Sequence, residues 1–581
     1  MSIIRRFRFW LIGFAAVILT FVSSPSHWLG MICSLNSDQA MCAELPASLT
    51  TAQRSTDPQS ACPVVLFDNL GDYHHPITTR SPQAQQYFDQ GLTLVYGFNH
   101  PEAARAFREA IRLDQTCTMC HWGLALALGP HINAGMSQQG ATEAWQALQT
   151  ARSLSQTAPT EERAYVEALA TRYVQNPPAD RRPLDRAYAD AMRQVAQQYP
   201  NDPDAATLFA EALMNTTPWY YWNGSQPKPE TVEILKALES ALTLNVNHPG
   251  ANHYYIHAVE ASPQPEQAVP HADRLKTLVP GAGHLLHMPS HIQIQLGQYH
   301  NAVVANQQAV KADQEYAKTC PVQSQYLTRL YAPHNYHFLW VAAMMGGEGQ
   351  VALEAAQQIA TNADRQLSEN SRQGTLQHHA ATPLYTWVKF GKWDEILATT
   401  APTNNLPYPR GVWHFARGTA FRATGNLQAG MKELQQLRTI AADPQLKSVK
   451  IESNSAATLL QLAAQVLSGE LAAAQGNYDA AIQDLQAAIA LEDTLKYVEP
   501  QAWHSPVRQT LGGVLLQAQR PAEAETIYRE DLARYPENGW SLFGLAASLQ
   551  AQGKTEAAEA VRTRFETAWH HADVQLTASY L

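Results

Sequence analysis

The chain has 581 residues, which is too long for one compact hydrophobic core and fits either several domains or one long repeat array. Its formal net charge is −10 and it carries no basic stripe, so the sequence excludes a protein that binds nucleic acid by neutralising phosphates. Ala, Leu and Gln dominate while β-branched residues are sparse, which favours helices over strands.

Residues 1–32 are predicted to be a signal peptide or a membrane anchor. Arg5, Arg6 and Arg8 give a positively charged start, and residues 10–22 are almost entirely apolar. That run is shorter than the ~20 residues of a full span, although residues 28–32 are apolar again. We therefore expect an exported protein, either periplasmic or anchored to the membrane by its N-terminus. Membrane contact is expected only through this segment, if it stays uncleaved.

The rest of the chain divides into a lead-in and three blocks of repeats. Residues 33–80 are of mixed composition and are predicted to be a linker and an irregular lead-in. After them the pattern is helical and repeats about every 34 residues, the period of tetratricopeptide units. The blocks are N-terminal repeats with insertions at 81–245, central His-rich repeats at 246–400, and C-terminal repeats at 401–581.

Small and aromatic residues recur at the offsets of a tetratricopeptide unit. Gly91, Ala103, Phe107 and Ala110 show the pattern in the first unit, and a late unit repeats it. Two antiparallel helices pack closely only where small side chains face each other, and a large side chain then fills the gap to the next pair. The sequence thus predicts an all-α, right-handed superhelical solenoid of helix-turn-helix repeats. The late unit has Gly512, Ala524 and Tyr528 at the same offsets.

Residues 218–222, Pro-Trp-Tyr-Tyr-Trp, form an aromatic group within one insertion. We interpret it as a plug that packs between repeats, with a ligand contact as the alternative.

Histidines concentrate in the central repeats. Of the 22 in the chain, the candidates for a site lie at helical spacings of three, four or seven residues, so that each set shares one helical face. The three sets are His253, His257 and Glu260; His284, His287 and His291; and His334 and His337.

The repeat register places these side chains on first helices, whose faces line the concave surface of such an array. First helices of neighbouring pairs lie ~10 Å apart, so their imidazoles are expected to converge. Neutral imidazoles with a hard carboxylate suit Zn, Fe, Cu or Mn. The alternative for each single histidine is a hydrogen-bonded core residue, which fits His248 and His271 better than metal ligation.

Cys117, Cys120 and His121 form a Cys-x-x-Cys-His match, the attachment signature of haem c in an exported protein. His121 falls on the bulky packing position of a first helix, where a covalent haem would displace the neighbouring pair. We therefore favour a structural thiol pair or disulfide there and keep haem c as an alternative. Cys320 either pairs with Cys62 or stays free.

Several longer runs resemble exported bacterial tetratricopeptide-repeat proteins of unassigned function. They are residues 87–91, 218–222, 254–262, 287–292 and 538–545, within a resemblance that covers the chain from about residue 70 to its end. The resemblance implies the fold and export but supplies no reaction. It also implies an aromatic residue at the position of His121, from which this chain departs.

The function expected from the sequence is a scaffold that binds a protein or peptide partner, or a transition metal, in a histidine-lined concave groove. No phosphate loop, nucleophile elbow or His-Glu-x-x-His motif is present, so no catalytic residue is assigned. One alternative is a metal-dependent hydrolase or oxidoreductase in which Glu260 serves as base. The other is a c-type haem protein.

Overall fold

The computed structural model describes residues 31–36, 39–44, 62–319, 325–367, 373–403 and 406–581. Residues 1–30 are not among them, so nearly all of the predicted signal or anchor segment lies outside the described residues. Within the predicted lead-in, β1 and β2 form an antiparallel hairpin, and residues 62–80 have no regular helix or strand.

Almost all regular structure after residue 81 is helical, as predicted. The first half contains α1 (Pro82–Tyr96), α2 (His100–Leu113), α3 (Thr118–Ala127), α4 (Gln138–Leu154), α5 (Thr160–Ala170), α6 (Arg182–Gln198), α7 (Pro203–Thr216), α8 (Pro229–Leu244), α9 (Pro249–Val259), α10 (Val269–Leu278), α11 (Gly283–His287), α12 (Pro289–Gln295) and α13 (Tyr299–Thr319). The second half contains α14 (Gln325–Gly346), α15 (Gly349–Asp364), α16 (Gly374–Ala380), α17 (Thr382–Lys389), α18 (Trp393–Ala398), α19 (Pro407–Ala423), α20 (Leu427–Ala441), α21 (Ala456–Ala474), α22 (Tyr478–Glu492), α23 (Val507–Gln517), α24 (Pro521–Arg534), α25 (Gly539–Ala551) and α26 (Thr555–Ala568). The strands are β1 (Met31–Asn36), β2 (Gln39–Glu44), β3 (Trp222–Asn223), β4 (Gln226–Pro227), β5 (Lys450–Ile451) and β6 (Asn454–Ser455).

The predicted repeat register is confirmed where large and small residues meet. The Phe107 ring is fully buried between α1 and α3, and Cβ atoms built on Gly91 and Gly123 would lie 2.7 and 2.3 Å from it. Tyr528 fills the equivalent position between Gly512 and Gly544, where the corresponding distances are 2.4 and 2.1 Å. Glycine is therefore required at these crossings because a side chain would overlap the ring.

The array folds back on itself, so its inner surface is not an open groove along its length. The first helix pair contacts α9, where a Cβ on Gly250 would lie 2.4 Å from the Tyr96 ring. At the other end, Trp540 donates a hydrogen bond to the Met344 carbonyl at 3.0 Å. Among the described residues, two large hydrophobic cores result, one spanning Leu70 to Tyr331 and the other Tyr299 to Val561. The right-handed sense of the superhelix stays a prediction.

One described helix, α21, is long and apolar enough to span a membrane by length and composition. Of its apolar window, 72% is buried inside the protein, as in the core helix of a globular fold.

Candidate metal centre

Four helices bring the predicted histidines together. His253 and His257 lie one turn apart on α9, which begins with His248 as N-cap and Pro249 in its first turn. The short helices α11 and α12 follow one another and carry the next set, and α14 adds one more side chain. The side chains from these helices are His284, His287, His291 and His334.

The first group of three consists of His253, His257 and His284. One ring nitrogen from each lies within 4.8 Å of the other two. The Nε2 atoms of His253 and His284 are 3.1 Å apart, and the ring centroid of His257 is 4.8 Å from that of His253. All three side chains are buried, with at most 4% of the residue exposed.

The second group of three consists of His287, His291 and His334, again with one ring nitrogen each within 4.8 Å of the others. The Nε2 atoms of His287 and His291 are 2.9 Å apart. The His334 ring lies 4.8 Å from that of His287 between centroids. The two groups are adjacent, because the rings of His257 and His291 are 5.7 Å apart.

Two carboxylates adjoin the histidines. Glu260, which ends α9, places Oε1 3.3 Å from Nδ1 of His257 and Oε2 2.9 Å from Nδ1 of His291. Glu499 comes from the loop between α22 and α23, and its Oε2 accepts a hydrogen bond from Nδ1 of His291. We refer to the two groups of three together with Glu260 and Glu499 as the central cluster.

The outer contacts of the histidines decide which ring nitrogen faces inward. Nδ1 of His253 donates to the Tyr96 carbonyl at 2.6 Å, and Nδ1 of His287 donates to Oδ1 of Asn306 at 2.7 Å. The amide nitrogen of Asn306 donates a hydrogen bond to the Ala302 carbonyl, so the amide oxygen of Asn306 faces the imidazole. Because Nδ1 is the donor, Nε2 of each ring keeps its lone pair and points at another imidazole.

The inward geometry fits a shared ion. Two lone pairs cannot face each other at about 3 Å, so a proton or a metal must lie between each Nε2 pair. In a tetrahedral zinc site with bonds of ~2.0–2.1 Å, the ligand nitrogens are about 3.3 Å apart. The observed separations of 3.1 and 2.9 Å are those of N–H···N hydrogen bonds and lie within about 0.4 Å of that value, so a metal can replace the bridging proton with little movement of the rings.

Burial controls the protonation of the cluster. It lowers the pKa of His253, His257, His284 and His287 well below the usual value, and neighbouring imidazoles lower it further. Burial would also lower the pKa of His291, but Glu260 and Glu499 outweigh it and raise that pKa to about 10. Burial and the neighbouring His291 also lower the pKa of His334 to about 3. Five neutral imidazoles are therefore available to a cation near neutral pH, whereas His291 must release a proton to bind one.

The aromatic insertion, residues 218–222, packs against α9 and also contacts the central cluster. Trp222 donates a hydrogen bond from Nε1 to the Ala258 carbonyl at 2.7 Å. Trp219 is 42% exposed, yet its ring meets that of His257 edge-on with centroids 5.0 Å apart. Its backbone has a φ of 64°, a conformation that costs energy for a bulky residue. The insertion therefore covers the His257 side of the central cluster.

The structure separates His337 from His334. His337 stacks on Trp340 and faces His379, 5.0 Å away between centroids, and it belongs to neither group of three. His248 and His271 are structural, as predicted. His248 caps α9 by accepting from the Ala251 N–H, and His271 contacts the amide oxygen of Asn252 at 3.0 Å.

Cys117 and Cys120 are buried and joined by a disulfide, with Cys117 capping α3. The sequence analysis favoured such a structural pair at these positions over the attachment of haem c. His121 is half-buried, and its Nε2 lies 3.2 Å from the Gln115 carbonyl oxygen. Cys62 is disulfide-bonded, while Cys320 lies outside the described residues.

Sequence reasoning missed Glu499 because 208 residues separate it from His291 and no motif connects them. Asn306 was open to prediction, because it follows His287 by 19 residues on the paired helix α13. The enzymatic alternative assigned Glu260 as a base, and the structure places both of its oxygens against histidines.

No protein-family model matches the chain, and no curated protein matches it significantly. Among solved structures, the APC/C hetero-tetramer Cut9–Hcn1 is 15% identical over 82% of this chain and 78% of its own, with a TM-score of 0.28. A human IFIT1 dimer with m7Gppp-AAAA is 11% identical over 85% of this chain and 91% of its own, with a TM-score of 0.29. At such low identities and TM-scores, these likenesses say nothing about what this chain binds.

Proposed function

We propose that the protein binds transition-metal ions in the central cluster, one at each group of three histidines. The observation that carries this proposal is the directed arrangement of the rings. Acceptors hold Nδ1 of His253 and His287, and their Nε2 atoms face a second Nε2 at 3.1 and 2.9 Å. Metal-bound histidines are oriented in this way by the groups behind them.

The charge balance supports divalent ions. Two dications bring four positive charges into a buried space, where unpaired charge is costly. Glu260 faces both groups and Glu499 faces the second, so the carboxylates offset part of that charge. Because six of the eight side chains are imidazoles, Zn, Fe and Cu suit the set better than Mn.

A peptide partner is less well supported at these residues than metal. Five of the six histidines in the central cluster have no more than 4% of their surface exposed, and His334 is half-buried. A peptide therefore has little access to these side chains. Protein or peptide binding elsewhere on the array stays a proposal from the fold type alone.

Metal analysis of the purified protein tests the proposal. We expect close to two equivalents of Zn²⁺ per chain in protein loaded with zinc alone, falling by about one in His287→Ala/His291→Ala. His121→Ala is the matched control, because it removes a half-buried histidine outside the cluster and should leave the metal content unchanged. Equal metal in the wild type and the double variant, or none in either after growth with Zn, Fe and Cu, would overturn the proposal.

We further propose that the protein is exported through its N-terminal segment, from the arginines and the apolar run in residues 1–32. Cell fractionation with N-terminal sequencing tests this. A mature chain that keeps Met1 and stays in the cytosol would contradict it.

A further inference from the structure

A second group of histidines lies in the C-terminal half of the array, apart from the central cluster. His337 comes from α14, His378 and His379 from α16, and His504 from the loop before α23. Each has 8% or less of its surface exposed. We refer to these four residues as the distal cluster.

Neighbouring rings are close enough for two of them to share one ion, whereas no three of the four histidines have ring nitrogens within 4.8 Å of one another, as the central groups do. Centroids of His337 and His379 are 5.0 Å apart, those of His378 and His504 are 5.5 Å apart, and those of His337 and His378 are 6.1 Å apart. Two imidazoles on one tetrahedral ion would have centroids about 5 Å apart, given metal–nitrogen bonds of ~2 Å.

Buried ring nitrogens in this cluster have no hydrogen-bond partner. They are Nε2 of His337, His378 and His379 and both ring nitrogens of His504. A buried polar atom without a partner costs free energy, and several together from three separate elements indicate a ligand-binding space. For His378 the direction is fixed, because Nδ1 contacts the Tyr408 hydroxyl at 2.8 Å and leaves Nε2 as the unpartnered atom.

The surroundings differ in charge from those of the central cluster. Aromatic rings form the walls, with Trp340 4.3 Å and Tyr385 4.6 Å from the His504 ring between centroids. Among the described residues, no carboxylate forms an ion pair with any of the four histidines. The charged side chain that acts on His504 is Lys389, whose Nζ donates to Gln509 at 2.7 Å.

We infer that the distal cluster binds one monovalent, soft transition-metal ion, of which Cu⁺ is the biological example. The cost of burying an ion rises with the square of its charge, so a dication costs roughly four times as much as a monocation of equal size. With no carboxylate to offset that cost, neutral imidazoles and aromatic walls favour the singly charged ion, and copper accepts imidazole ligands. The two clusters thus differ in the ion charge that they accommodate.

Titration with Ag⁺, a redox-inert monovalent ion, tests the inference on full-length protein whose central cluster has first been filled with Zn²⁺. Cys62, Cys117 and Cys120 are disulfide-bonded, so their thiols do not compete for the probe. We expect one equivalent of Ag⁺ to bind, with affinity at least tenfold lower in His378→Gln/His504→Gln. The variant His287→Ala/His291→Ala should keep the Ag⁺ site. The test of the distal cluster is therefore independent of whether the central cluster binds metal.

Unchanged Ag⁺ affinity in His378→Gln/His504→Gln, or loss of the site only in the central-cluster variant, would overturn the inference. Should the double variant fail to fold, X-ray absorption of the Cu⁺-loaded, Zn²⁺-filled wild type decides. Two nitrogen ligands at imidazole distances support the site, whereas oxygen or sulfur ligands contradict it.

Discussion

At the scale of single residues, the carboxylate behind His291 sets the properties of the central cluster. Glu499 accepts the Nδ1–H of His291, and the Nε2 of the same ring faces His287 at 2.9 Å. A carboxylate in this position fixes the ring and makes the inward nitrogen more basic toward a metal. Glu499 is therefore a positioning residue, and its charge also balances the ion.

Glu499→Gln should weaken metal binding by about 10- to 100-fold, the usual cost of losing such an outer partner. The amide keeps the shape of the side chain but removes the charge that holds His291. Competition with a chromophoric chelator measures the affinity, and Glu530→Gln, at a side chain that is 51% exposed, is the control. An affinity equal to that of the wild type would show that Glu499 only packs.

A second residue-scale network, centred on Asp204 and outside the central cluster, predicts a pH effect on stability. Asp204 lies 2.7 Å from Nδ1 of His75 and accepts from the Tyr73 hydroxyl at 2.5 Å. Burial alone would lower the pKa of His75, but Asp204 outweighs it and raises that pKa to about 9. The folded protein thus holds a proton on His75 that the unfolded chain releases near pH 6.5.

His75→Gln should therefore cost most stability at about pH 6 and progressively less as the pH rises through 9. One pKa unit corresponds to 1.36 kcal/mol, so the pH-dependent part is about 3 kcal/mol at most. Urea unfolding of both proteins at pH 6 and pH 10 gives the comparison. A difference in the free energy of unfolding that stays constant across this range would contradict the ion pair.

At the scale of helices, a large side chain fills the space at a helix crossing where a glycine leaves room for it. Phe107 on α2 contacts Gly91 on α1 and Gly123 on α3. One side chain therefore packs against both neighbouring helices. This contact was predictable because its spacing recurs along the sequence. The directions of the histidines on α9, α11 and α12 were predictable for the same reason, since helical spacing fixes the shared face.

Gly123→Ala should destabilise the protein by about 1–3 kcal/mol, because its Cβ would lie 2.3 Å from Phe107 in a packed core. Gly97→Ala is a matched control, since the atoms nearest to its added Cβ are at 3.6 Å, an ordinary contact distance. Thermal unfolding of the two variants measures the difference. Equal midpoints would mean that the crossing relaxes freely around the ring.

At the scale of the whole molecule, closure of the array turns an expected groove into an enclosed space. Tyr96 reaches His253 across 157 residues, and Glu499 reaches His291 across 208. Periodicity in a sequence defines contacts between neighbouring repeats but not contacts between distant ones. For that reason the sequence indicated the histidines of the central cluster, yet it indicated neither Glu499 nor the grouping of His337 with His504.

The loop between α22 and α23 connects both histidine clusters, because it carries Glu499 to one and His504 to the other. The C-terminal repeats thus add side chains to clusters whose other residues lie up to about 250 positions earlier. A repeat array usually varies its function on exposed faces, whereas here the clustered histidines lie where distant turns of the array meet.

Anomalous X-ray diffraction at the absorption edge of the bound metal is the most direct test of the central claim. We expect two peaks inside the array, one ~2 Å from ring nitrogens of His253, His257 and His284 and one equally close to His287, His291 and His334. Electron density with no such peak between these rings, in crystals of protein saturated with Zn²⁺ or Cu²⁺, would contradict the account.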